Sequence, residues 1–222
     1  GDARAALDTT RAHAAALGRP IGLELGLPLG APHLAALPWE LLWDEGPAPL
    51  LLASGLVRRL DLPSALPPPR PRAGPLRILA ISPAAGIGPE LRQVERAARQ
   101  EALAPLVARG AAVVEEIEPA TRAALVRAIE AGGPPDIVHF YGHGRLRGGE
   151  GELLLDDLGR AAWLGSGEAA ALLAGAGLVA LYACEGAGVA LGPGEPLLGG
   201  VAQALTAAGV PAVLGMQLAV RA

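Results

Sequence analysis

Between Leu76 and Met216, short apolar runs alternate with amphipathic stretches of helical period, an order that few folds accept. The runs at 76–81, 112–117, 136–141, 178–183 and 212–216 have strand length. The stretches at 89–109, 119–131, 166–174 and 197–208 read as helices, and Pro89 stands in a first turn, where its missing N–H would have no partner anyway. Strand, helix and strand in repetition predict an α/β fold, a mostly parallel sheet covered on both faces by helices.

Upstream the pattern changes. Residues 2–17 are Ala-rich with Leu and Arg at helical spacing, and Gly18-Arg19-Pro20 ends them. Ile21-Gly22-Leu23-Glu24-Leu25 alternates like a strand, and the block Leu37-Pro38-Trp39-Glu40-Leu41-Leu42-Trp43 follows a Pro/Gly-rich turn. A second apolar block runs over 50–62 and contains Val57-Arg58-Arg59-Leu60. Residues 1–62 are thus expected to form a small N-terminal helix-and-strand extension. Residues 63–75 hold Pro67-Pro68-Pro69 and Pro71, which favour extended polyproline geometry and predict a linker. The α/β core is assigned to 76–222.

Apolar residues make up 51% of the 222, enough to bury a core of this size. The net charge is −4 and the cationic side chains are arginines without a dense cluster, which argues against nucleic acid as a partner. No apolar run reaches the roughly 18 residues a membrane span needs. Arg4, Asp8, Arg11 and His13 break up the start of the chain, so no signal-peptide core is read there. A soluble, cytoplasmic protein or a fragment of one is expected. One cysteine, Cys184, can form neither an internal disulfide nor a multi-cysteine zinc site. Neither metal nor cofactor is expected.

In open α/β sheets, ligands bind beyond the carboxyl ends of the strands. Two strand ends here carry reactive side chains. The run Ile137-Val138-His139-Phe140-Tyr141 leads into Gly142-His143-Gly144, and Leu178-Val179-Ala180-Leu181-Tyr182 leads into Ala183-Cys184-Glu185-Gly186. Glycines beside His143 allow a sharp turn and let a carbonyl approach the Gly144 amide. A thiol gains both activation and a proton donor for the leaving group from a nearby imidazole. This pattern makes Cys184 a candidate nucleophile and His143 its base, with the N–H groups of Gly144 and Cys184 as oxyanion donors. The competing reading of Cys184 is a small buried hydrophobe.

Other residues invite plainer readings. His139 lies within its strand and reads as a core histidine able to support the site from beneath. Glu185 is a candidate substrate contact, or a solvated loop carboxylate. Asp156 and Asp157 read as the start of a hairpin turn rather than a metal site, Trp39 and Trp43 as a packed edge, and Arg58 and Arg59 as solvated surface charges. Gly86-Ile87-Gly88 lacks the third glycine of a dinucleotide loop, and Glu90 would repel a pyrophosphate.

Taken together, these blocks resemble the CHAT domains, bacterial relatives of caspases and separase. The resemblance is carried by the 37–42 block, Val57-Arg58, the strand at 76–81, Gly142-His143-Gly144 and Leu153-Leu154-Leu155-Asp156. It continues through Ala183-Cys184-Glu185-Gly186 and 200–205 to Pro211-Ala212-Val213. It implies a caspase-like sheet, a His143–Cys184 dyad, and endopeptidase activity on protein or peptide substrates released by a regulatory domain or partner, in bacterial defence or programmed cell death. Relatives usually continue past the strand at 216–217, so the resemblance also implies a remainder beyond Ala222. The caspase signature around the nucleophile is half matched by Tyr182-Ala183-Cys184-Glu185-Gly186, which gives no support to cleavage after aspartate. The alternative is a catalytically silent, protease-like interaction module in a larger assembly.

Overall fold

The computed structural model describes residues 2–29, 31–43, 55–63, 74–157, 160–184, 186, 188 and 199–216. The chain divides into two compact units, Gly1–Asp61 and Leu62–Ala222. Most of the predicted linker, residues 64–73, lies outside the described residues, as do positions 50–54 of the upstream apolar block.

In the first unit, helix α1 (Asp2–Ala16) precedes strand β1 (Leu23–Pro28), the short helix α2 (Pro32–Ala35), a 3-10 turn (Trp39–Leu41) and strand β2 (Leu56–Asp61). β1 and β2 pair in parallel, with Leu23 opposite Leu56 and Leu27 opposite Leu60. Arg58 corrects the expectation of a solvated charge. Its guanidinium forks onto the Glu40 carboxylate and also donates to the carbonyls of Ala35 (2.7 Å) and Leu37 (2.9 Å). One planar cation with five donors can close a loop in this way, and the loop from α2 to the 3-10 turn supplies the acceptors. Arg59 is exposed and pairs with Glu24 and Asp61. Trp39 donates its indole N–H to the Leu34 carbonyl at 2.6 Å, while Trp43 is largely exposed, so the two tryptophans do not form one packed edge.

The second unit has the predicted class. Its central sheet has five parallel strands in the order β10-β9-β5-β3-β4, formed by β3 (Leu76–Ile81), β4 (Ala112–Ile117), β5 (Ile137–Tyr141), β9 (Leu178–Tyr182) and β10 (Ala212–Gly215). The crossovers carry helices α3 (Pro89–Ala108), α4 (Arg122–Gly132), α5 (Ser166–Leu173) and α6 (Val201–Ala207). α4 begins later than the sequence pattern indicates, because Thr121 caps it: its Oγ1 accepts the Ala124 N–H at 3.1 Å. Among the described residues no helix is long and apolar enough to cross a membrane.

Side-chain alternation sorts the strands into two faces. Leu79, Ile81, Val138, Phe140, Val179 and Leu181 point into the main core with Leu125 of α4, Leu173 of α5 and Leu205 of α6. The opposite face carries Ile78, Ala80, His139, Ala180 and Tyr182, and α3 covers its β3, β4 and β5 side through polar contacts. Between β5 and α5 the chain adds a second sheet of three antiparallel strands, β6 (Gly144–Arg147), β7 (Glu150–Asp157) and β8 (Arg160–Gly165). Gly148 and Gly149, at φ +57° and +80°, form the two-residue turn between β6 and β7, a conformation in which the strand twist matches and L side chains are disfavoured.

Candidate active site

β5 and β9 are neighbours in register, with Tyr141 opposite Tyr182. His143 and Cys184 each follow two residues later, so their loops leave adjacent strands at one level. The two loops touch. The Gly142 N–H donates to the Tyr182 carbonyl at 3.1 Å. A methyl group on Gly144 would stand 2.5 Å from the Cys184 carbonyl oxygen and 3.1 Å from the Ala183 Cβ. Only glycine allows the backbone after His143 to lie this close to the backbone at Cys184.

His143 is exposed, and its Nε2 lies 2.9 Å from the Gly86 carbonyl oxygen. A carbonyl oxygen can only accept, so Nε2 carries the proton and the neutral ring offers Nδ1 as its acceptor. Gly86 has φ +76°, and a Cβ there would meet the imidazole at 2.7 Å. The loop bearing Gly86 is braced by Asp156, whose carboxylate accepts the N–H groups of Ala84 (3.2 Å), Ala85 (2.9 Å) and Ala120 (3.1 Å). Asp156 is thus a structural clamp within β7, and Asp157 ends that strand.

Gly144 opens β6 opposite Leu153, and the Leu154 N–H donates to the His143 carbonyl at 2.9 Å. That bond identifies Gly144 and Leu153 as a pair without mutual hydrogen bonds, so the Gly144 N–H faces away from β7. Arg145 holds the small sheet beside it, ion-paired with Glu152 and 3.7 Å over the Trp163 ring. Cys184 is half-buried. The turn after it is tied down at both ends: the Gly186 N–H donates to Ala183 (3.2 Å), and the Ala202 N–H of α6 donates to Gly186 (3.0 Å). Glu185 lies outside the described residues.

Beneath the two loops, on the α3 face, His139 Nε2 stands 2.8 Å from Glu95 Oε1. The same oxygen accepts Arg99 Nε at 2.9 Å, and the other accepts Ser82 Oγ at 3.2 Å. Arg99 forks onto Glu116 at 2.6 and 3.1 Å, and the side chain of this guanidinium is only 4% exposed. Burial pushes the Glu95 carboxyl up, but the hydrogen bonds and charges of Arg99 and His139 outweigh it and leave the group below the ordinary carboxylate value. For His139, burial pushes the imidazole down, and the hydrogen bond and charge of Glu95 offset that only in part. Its ring lies 5.0 Å from that of Tyr182 at 41°.

A family model described as the CHAT domain matches residues 8–222. The chain belongs to the CHAT domain family. No curated protein matches it. CHAT domains are related to caspase-type proteases, and the five parallel strands flanked by helices are consistent with that scaffold. Sequence reasoning about this CHAT domain located the two strand-end loops but missed what holds them. The Gly86 carbonyl had a signal, a glycine two residues before another in the loop after β3, but a backbone acceptor has no residue type to recognise. Glu95 and Arg99 within the helical stretch, and Ser82 in the loop before it, carry no sequence signal that sets them apart from other polar residues. The antiparallel sheet was signalled by Gly148-Gly149 between alternating runs.

Proposed function

We propose that this CHAT domain is a cysteine endopeptidase acting through Cys184 and His143. The observation that carries the reading is the hydrogen bond from His143 Nε2–H to the Gly86 carbonyl, because it leaves Nδ1 as the acceptor on a residue whose loop packs on the backbone of Cys184. In the reaction, His143 Nδ1 takes the thiol proton and the Cys184 sulfur attacks the scissile carbonyl carbon. The oxyanion is held by the N–H groups of Gly144 and Cys184, and the outward direction of the Gly144 N–H supports that role. His143 then delivers its proton to the leaving amine as the C–N bond breaks. Water, deprotonated by His143, hydrolyses the thioester and restores the thiol. Glu185 contacts the substrate, and a regulatory domain or partner releases the activity. His143 is exposed and Cys184 only half-buried, which supports access of a substrate to both residues.

The direct test needs no known substrate. Cys184 is the single cysteine, so iodoacetamide labelling reports on it alone. Labelling of the intact chain faster than that of a small free thiol at pH 7, lost in His143→Ala, supports the dyad. An unaccelerated wild type would instead favour the silent interaction module. Cleavage of a peptide library, abolished by Cys184→Ala, then establishes the peptidase.

A further inference from the structure

Tyr182 joins the two halves of the proposed dyad. Its backbone pairs with Tyr141, its carbonyl accepts the N–H of Gly142 at 3.1 Å, and Cys184 follows two residues later. Its side chain lies on the α3 face and is 47% exposed, so the main core does not hold it. Among the described ring contacts, the partner of this side chain is His139 at 5.0 Å. His139 in turn is held from α3, where Glu95 accepts its Nε2–H at 2.8 Å.

We infer that His139, anchored by Glu95, is a positioning residue for the His143–Cys184 site and acts through Tyr182. The inference rests on the dyad reading given above. A ring hydrogen-bonded to Glu95 of the buried Glu95–Arg99 pair restrains the Tyr182 ring, and Tyr182 sets the backbone from which both reactive loops depart. Three formal charges face the imidazole: Glu95 and Arg99 from α3 and Glu116 from β4, with Tyr182 as its aromatic neighbour and Ser82 bonded to the far oxygen of Glu95. With neutral His139 the group carries one net negative charge, and protonation cancels it. A proton on His139 also loads positive charge beside Arg99 and competes for the Glu95 carboxylate. The position of Tyr182 is therefore coupled to pH below the ordinary histidine range.

A purely structural histidine would serve only to satisfy Glu95. His139→Gln separates the two roles, since an amide keeps a donor for Glu95 while losing the aromatic ring and the titration. The experiment follows iodoacetamide labelling of Cys184 from pH 5 to 9 in the wild type, His139→Gln, Tyr182→Ala, the double variant and His143→Ala. Tyr182 is half exposed and outside the main core, so its truncation is expected to leave the core packing in place, and the urea midpoint of the variant checks this. The expected result is labelling about tenfold slower in His139→Gln, of the size seen for residues coupled through contact. The acid-side inflection below pH 6.5 is lost, and His139→Gln adds nothing further in the Tyr182→Ala background. If the wild type is accelerated and His143→Ala removes the acceleration, but His139→Gln follows the wild-type profile, the positioning role is overturned and the dyad stands. Additive effects of the two single variants would overturn the route through Tyr182. If the wild type labels like a free thiol, the dyad and the positioning role fall together.

Discussion

The Nε2–H of His143 points at the Gly86 carbonyl oxygen, 2.9 Å away, so the imidazole is oriented by the backbone of a loop on another strand. Gly86 adopts φ +76°, and a Cβ there would enter the space of the ring at 2.7 Å. Gly86→Ala should cost about 1–2 kcal/mol in backbone strain. It should also turn His143 away, with a fall in Cys184 alkylation or peptide cleavage on the order of 10²-fold. Denaturant unfolding and labelling kinetics on one preparation check both effects.

Gly144→Ala probes the contact between the loops directly. The added methyl would lie 2.5 Å from the Cys184 carbonyl oxygen, a backbone atom anchored by its own turn. We expect about 1–3 kcal/mol of destabilisation, as for overpacking of a fitted site. Because the loops must separate, reactivity should fall by more than stability does, and substrate-independent labelling at pH 7 would show it.

Arg99 sits between two carboxylates under the sheet. Arg99→Met keeps the volume but leaves Glu95, whose side chain is 10% exposed, without its main counter-charge. The expected loss is about 3 kcal/mol, since breaking one side of a buried pair strands the other charge. Glu95→Gln combined with Arg99→Met should recover part of it. Urea midpoints of the three variants decide the matter.

Stability should fall with acid in two stages. His139 titrates lower in the folded protein than its ordinary 6.5, so the unfolded chain binds more protons between the two values. Its contribution is complete above about pH 6.5 and is lost as pH falls through the lower folded value. Glu95 is likewise lowered from its ordinary 4.5, and its contribution is present above that pH and lost below it. Urea unfolding from pH 8 down to about pH 2, well below the ordinary carboxylate value, should show a falling midpoint, and His139→Gln should flatten the upper stage while leaving the lower one.

The parallel sheet, the order of its helices and the two strand-end loops were legible in the sequence. A strand buried on both faces must be apolar, a crossover must hold a helix, and glycines at strand ends mark sharp turns. Local chemistry writes such features residue by residue. Arg58 shows where this stops, because a paired-arginine motif gives no hint of the loop carbonyls that fold around one of its members. The same holds at the site. His143 and Cys184 can be named from their neighbours, but the acceptor that orients the imidazole is the backbone of Gly86, and backbone atoms are the same in every residue. The pairing of Tyr141 with Tyr182 and the seating of His139 on Glu95 depend on strand register and helix placement. Both are settled only when contacts distant in sequence form together.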